Sequence, residues 1–147
     1  METLDYEIEI NAPIQKVWDM LWQPETYSIW TQFFAPGSQM KSDWKVGGKT
    51  YFTDKAGEGM VSTILSLDAP FEVVFVHLGT VKDGVEDTES REVKDWSGAE
   101  EKYFLRAIDE NTTELRASTH IYGDHEEFMN NGFKQGFAML KNLAETN

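Results

Sequence analysis

No cysteine occurs in the 147 residues, so the chain holds no disulfide framework, no thiol nucleophile and no zinc-thiolate site. Positive charge is also scarce: 13 Lys and Arg stand against 26 Asp and Glu, a formal net charge of −13. A nucleic-acid surface replaces phosphate counterions with a basic stripe, and an anionic membrane attracts basic residues, so both partners are disfavoured by sign. No apolar run approaches the roughly 20 residues that cross a bilayer. The opening METLDYEIEI has neither the charged n-region nor the apolar h-region of a secretory signal. The expectation is a cytoplasmic chain with no nucleic-acid partner and no membrane insertion. Apolar mass, by contrast, is ample. Hydrophobic residues make up 40% and aromatics 13%, enough for a packed core in one compact domain over residues 1–147 rather than a disordered acidic chain.

Leu4, Tyr6, Ile8 and Ile10 alternate with Asp5, Glu7 and Glu9, the period of a half-buried strand. Asn11-Ala12-Pro13 then opens a helix with Pro at the first helical position, followed by Ile14, Val17, Trp18 and Leu21 on one stripe and ended before Pro24. A short helical turn over residues 25–30 puts Tyr27 and Trp30 on one face. Six strand-like segments follow, over residues 39–44, 49–54, 59–67, 71–78, 99–108 and 113–122. Turn signals at Val46-Gly47-Gly48, Ala56-Gly57, Ala69-Pro70 and Asp109-Glu110-Asn111 separate them, as in an antiparallel meander. Residues 80–98 break this spacing and read as a long acidic loop with frayed strand ends. The closing segment is helical. Asp124 and Glu127 have the form of a capping box, and Met129, Phe133, Gly136, Phe137, Leu140, Leu143 and Ala144 recur at helical spacing.

Strong catalytic motifs are absent. Gly48-Lys49-Thr50 resembles the tail of a phosphate-binding loop, yet Asp43 stands where that motif needs its first Gly, and the triplet opens a strand rather than a helix. His77, His120 and His125 lack the spacing of a helical metal site, so no metal and no cofactor is expected. His77 shares a strand face with Val73 and Phe75, where it becomes a polar anchor if that face lines a cavity, and a satisfied core histidine otherwise. His120 and His125 read as solvated. The aromatics crowd the first third, at Trp18, Trp22, Trp30, Phe33, Phe34 and Trp44, and return at Phe128, Phe133 and Phe137. Gly132 and Gly136 sit four apart in the terminal helix, where glycine costs about 0.5–1 kcal/mol relative to Ala. Their missing side chains mean either close helix approach or room for a guest.

The order of elements and several strings resemble the START/Bet v 1-like superfamily, and within it the group related to the C-terminal domain of the activator of Hsp90 ATPase. The strings are Ile8-Glu9-Ile10-Asn11-Ala12-Pro13 with Val17-Trp18, Tyr27-Ser28-Ile29-Trp30, Val46-Gly47-Gly48-Lys49-Thr50-Tyr51-Phe52, Ala69-Pro70-Phe71-Glu72-Val73-Val74-Phe75 and Asn131-Gly132-Phe133 followed by Leu140 and Leu143. The resemblance implies an α+β helix-grip fold: a curved antiparallel sheet of about seven strands round a long C-terminal helix, two short helices after the first strand, and a cavity between helix and sheet. It also implies a range of activities, since members bind lipids, hormones or polyketides, act as cyclases or serve as co-chaperones. Where the family often carries Trp, this chain has Phe133 and His77.

The leading expectation is therefore a binder of a small, largely apolar or amphipathic molecule. Its wall is expected from Trp30, Phe34, Trp44, Phe75, Tyr103, Phe133 and Phe137, with His77 as the polar contact. One rival is a cyclase, dehydratase or hydrolase using His77 with a carboxylate or Tyr103. The other is a chaperone-related or other protein-interaction role, with the acidic loop docking on a basic surface.

Overall fold

A computed structural model describes residues 2–121 and 123–146. The alternating N-terminus forms β1 (Glu2–Ile10), whose Glu7 and Glu9 are exposed and whose Ile10 is fully buried. It pairs antiparallel with β8 (Thr112–Ile121), from Glu2 opposite Ile121 to Ile10 opposite Thr113. Between them in sequence come α1 (Ile14–Trp22), α2 (Pro24–Trp30), β2 (Gln39–Ser42), β3 (Lys49–Thr53), β4 (Gly59–Asp68), β5 (Glu72–Lys82), β6 (Val85–Asp87), α3 (Arg91–Lys94) and β7 (Glu100–Asp109). The sheet runs β1-β8-β7-β5-β4-β3-β2, with β6 added to β5, and all these pairings are antiparallel. The last helix, α4 (Glu126–Thr146), completes the α+β helix-grip arrangement.

Element boundaries move for local reasons. Pro13 stands before α1 rather than at its first position, with φ −60 and ψ 149, while Pro24 does take the first turn of α2. The strand expected over residues 39–44 ends at Ser42, because the Ser42 hydroxyl accepts the Trp44 N–H at 3.0 Å and Trp44 turns to φ 54. The last strand was expected to reach Tyr122, which lies outside the described residues. Helix α4 begins at Glu126, and the Met129 N–H donates to the His125 carbonyl at 2.9 Å, so the helix starts one residue later than the Asp124/Glu127 box places it.

The largest correction concerns residues 80–98, which form structure rather than a long loop. Strand β5 continues to Lys82, and Asp83 and Gly84, at φ 51 and 78, make a two-residue hairpin turn into β6. Asp-Gly is the turn pair whose backbone twist suits an antiparallel hairpin. Beyond β6 the Asp87 carboxylate accepts the N–H groups of Ser90 at 2.9 Å and Glu89 at 3.1 Å, and these bonds hold its carboxyl below the ordinary range. Ser90 then caps α3, whose Val93 is buried. Backbone bonds return the chain to β5: His77 N–H donates to Ala99 O, and Gly98 N–H to His77 O, both at 2.9 Å. Glu86 braces the hairpin by accepting from Lys49 at 2.8 Å and Tyr51 at 2.6 Å.

The core lies between the sheet and the helices. Trp30 donates its indole N–H to the Leu21 carbonyl at 3.0 Å, locking α2 to α1. At the C-terminal end of α4, Lys141 donates to the Glu9 carbonyl at 3.0 Å and Glu145 accepts the Asn11 N–H at 2.7 Å, clamping the helix to the end of β1. The glycines decide how closely α4 approaches. A Cβ on Gly136 would stand 2.6 Å from the Trp30 carbonyl oxygen, and one on Gly132 would stand 2.4 Å from the Phe34 ring. Both therefore mark close approach, and neither leaves an open space.

Candidate functional site

Strand alternation puts Phe75 and His77 of β5 and Glu101, Tyr103 and Leu105 of β7 on the face that meets the helices, with Phe75 opposite Glu101 and Val73 opposite Tyr103. Four of the polar groups there form one chain. Tyr103 O–H donates to Glu101 Oε2 at 2.5 Å, and Glu101 Oε1 lies 3.3 Å from His77 Nε2. His77 Nδ1 in turn lies 2.6 Å from the Ser62 hydroxyl. Ser62 reaches His77 because of a register shift: Val61 faces Gly79, Ser62 faces His77, and Leu78 between them bulges out. Ser62 has no exposure, whereas the Glu101 side chain keeps 17% of its surface.

This order of groups looks like a serine nucleophile with its base. A hydroxyl sealed off from solvent cannot attack a substrate, so Ser62 orients His77, and His77 orients Glu101. Burial pushes the Tyr103 and Tyr27 phenols well above their ordinary value, and the nearby Glu101 carboxylate adds to both shifts. Tyr103 is thus held as a hydrogen-bond donor at neutral pH.

Glu101 and Tyr103 face a cavity of about 330 Å³ between α2, β3, β4, β7 and the N-terminal half of α4. Tyr27, Trp30, Phe34, Phe52, Phe128, Met129 and Phe133 supply its apolar wall, and Asp54 and Glu58 also line it. Its rings brace one another: Phe34 meets Phe133 edge-on at 5.0 Å, and Tyr6 stacks behind Phe133 at 4.4 Å while donating its hydroxyl to Asn130 at 2.6 Å. Thr31, Ser38, Gln39 and Thr53 add polar groups, and a mainly apolar wall interrupted by polar groups is the usual lining of small-molecule pockets.

Of the residues expected to line a cavity, Trp30, Phe34, Tyr103 and Phe133 border this one. Phe75 lies behind it, against Phe52 at 5.1 Å and Trp22 at 5.6 Å. Phe137 sits deeper along α4, against Phe133 at 5.4 Å and Trp30 at 6.0 Å. His77 backs Glu101, and Trp44 faces a second, open hollow of about 380 Å³ with Trp18, Trp22 and Leu67. The indole N–H of Trp22, buried between the two, has no hydrogen-bond partner among the described residues, and its ring stands edge-on to Tyr103 at 4.9 Å. His120 is half-buried and accepts the Glu100 N–H at 3.0 Å, whereas His125 is exposed.

Sequence reasoning missed Glu101, Tyr27, Phe52 and Ser62. Glu101 was within reach, since it precedes Tyr103 by two and must share its face. Ser62 was not, because a bulge leaves no mark in alternation. Among the described residues no group of three or more His, Asp and Glu is placed to hold a metal ion, and no helix is long and apolar enough to cross a membrane.

Several solved structures share the architecture. A protein of Chromobacterium violaceum is 17% identical, with 100% of both chains covered and a TM-score of 0.68. The Aha1 dimer from Colwellia psychrerythraea is 18% identical over 99% of this chain and 95% of that one, with a TM-score of 0.65. An Hsp90 activator from Plasmodium falciparum is 14% identical over 97% of this chain and 96% of that one, with a TM-score of 0.67. No curated protein matches at a significant level. Residues 11–145 match the family described as Activator of Hsp90 ATPase homolog 1-like protein, and with nearly the whole chain inside that match and the helix-grip fold beneath it, the chain belongs to this family.

Proposed function

We propose that the chain binds a small, largely apolar molecule in the cavity between α4 and the sheet. The observation that carries this reading is the placement of a carboxylate and a phenol, Glu101 and Tyr103, in one cavity with a wall of aromatic rings. Trp30, Phe34, Tyr103 and Phe133 make the direct contacts, Phe75 and Phe137 hold those rings from behind, and His77 holds Glu101. A cavity of about 330 Å³ suits a ligand at the small end of the range that such sites take. Uptake of N-phenyl-1-naphthylamine tests the reading. The wild type should enhance its fluorescence saturably. Met129→Trp, which adds a ring to the half-buried cavity wall, should abolish uptake and keep a cooperative thermal transition. A wild type that takes up no probe defeats the reading.

A second reading is favoured by the family description, which names the activator of Hsp90 ATPase, and by the folding of the acidic segment into an ordered hairpin with an exposed Val85. In it, this acidic projection docks on a basic surface of a chaperone. Hsp90 ATPase rate with and without the protein is the measurement, and an unchanged rate rejects this reading.

A further inference from the structure

We propose that the cavity selects its ligand by charge: the occupant is an amphipathic amine, with an ammonium head against Glu101 and an apolar body among the rings. This rests on the reading of the cavity as a binding site and specifies the ligand that fits it. The Ser62 hydroxyl stands 2.6 Å from His77 Nδ1, and His77 Nε2 faces Glu101 Oε1 at 3.3 Å. Tyr103 donates to the other oxygen. The contacts of Glu101 are thus a phenol hydroxyl and an imidazole nitrogen, not the permanent cation of a Lys or Arg.

The lining offers none either. The described lining residues include Asp54, Glu58 and Glu101 and no Lys, Arg or His. Lys82 lies 3.8 Å from Glu58, but its side chain is 70% exposed. A half-buried carboxylate that accepts one phenol hydrogen bond still has lone pairs to give, and a charged N–H donor uses them best, in a bond roughly twice as strong as a neutral one. The aromatic lining at Trp30, Tyr27 and Phe34 favours the same sign of head, since the faces of aromatic rings draw cations and not anions. A fatty carboxylate would instead face like charge in a partly dry site. The shape admits both, so the sign of the head decides.

Isothermal calorimetry at pH 7 with octylamine, 1-octanol and octanoate isolates the head from the body. Octylammonium should bind at least about ten-fold tighter than octanol, and octanoate should bind more weakly than either. Glu101→Gln should erase or invert the amine preference while octanol affinity stays within about two-fold; Tyr103→Phe, which keeps the carboxylate, should retain the preference. Equal affinities for amine and alcohol in the wild type, or a preference for octanoate, overturn the charge proposal and leave apolar binding standing. An amine preference that survives Glu101→Gln overturns the assignment to Glu101. Binding of none of the three overturns the proposal together with the cavity reading beneath it. The wild-type panel decides even where the Gln variant does not fold.

Discussion

The two halves of α4 bury the same kinds of residue and reach opposite outcomes. In the C-terminal half Gly136 presses on the Trp30 backbone, Phe137 and Ala144 are buried, Leu140 has no exposure, and the clamp to Glu9 and Asn11 closes the end. In the N-terminal half Phe133 is buried, Met129 is half-buried and Phe128 is 51% exposed, and the three border a cavity. The difference lies in what faces the helix. The α2 backbone meets the C-terminal half at Gly136, whereas rings that brace one another beside an open space meet the N-terminal half. One helix can therefore anchor the fold at one end and border a cavity at the other.

The sharpest way to break this contrast is to remove side chains from the closed half. Phe137→Ala should cost about 3–5 kcal/mol, read from urea unfolding; a loss under about 1 kcal/mol would place a void where the closed half is packed. An alkaline limb follows from the tyrosines of the open half. Folding raises the Tyr27 and Tyr103 values above the ordinary one near 10. The stability tied to their neutral phenols is therefore complete below about pH 10 and is lost as pH rises from there through the folded values, on the order of 1 kcal/mol per pH unit for each. Urea midpoints at pH 9 and pH 11 should fall apart in the wild type and converge in Tyr27→Phe/Tyr103→Phe. Parallel behaviour in both proteins sinks the prediction.

The glycines sharpen the comparison at smaller scale. Gly136→Ala places a Cβ 2.6 Å from a carbonyl oxygen, which only a helix shift relieves. Overpacking of about 1–3 kcal/mol should outweigh the gain of about 1 kcal/mol in helix propensity. Gly132→Ala meets one edge of the Phe34 ring instead, and a half-buried ring can swing. Its net effect on stability should stay within about 1 kcal/mol of zero, since propensity and displacement oppose. Its probe affinity should change, because Phe34 is cavity wall. Equal destabilisation by the two alanines would show that the halves do not differ.

The gross plan was legible where one period ran uninterrupted. The alternation from Leu4 to Ile10 and the stripe from Met129 to Ala144 each name one buried face, and a chain must bury that face whatever it packs against. Residues 80–98 were harder, because their charge reads as loop while Asp83-Gly84 carries a hairpin turn; local turn chemistry overrode composition. The candidate site was legible in part. Tyr103, Trp30, Phe34 and Phe133 could be chosen as large rings on inward faces, but size alone does not say which rings close on each other.

Sequence by itself determined the main elements outside residues 80–98, their order, the faces they bury and the acidic excess of the chain, since each depends on residues near one another in the chain or on simple sums. Only the tertiary structure decided that Gly136 meets backbone while Gly132 meets a ring, and that a bulge at Leu78 turns Ser62 onto His77. It also decided that the face shared by Glu101 and Tyr103 borders a cavity at Glu101 rather than closed core. Those outcomes rest on distances of a few ångströms between residues far apart in sequence, and periodicity carries direction along one element but no distance between two.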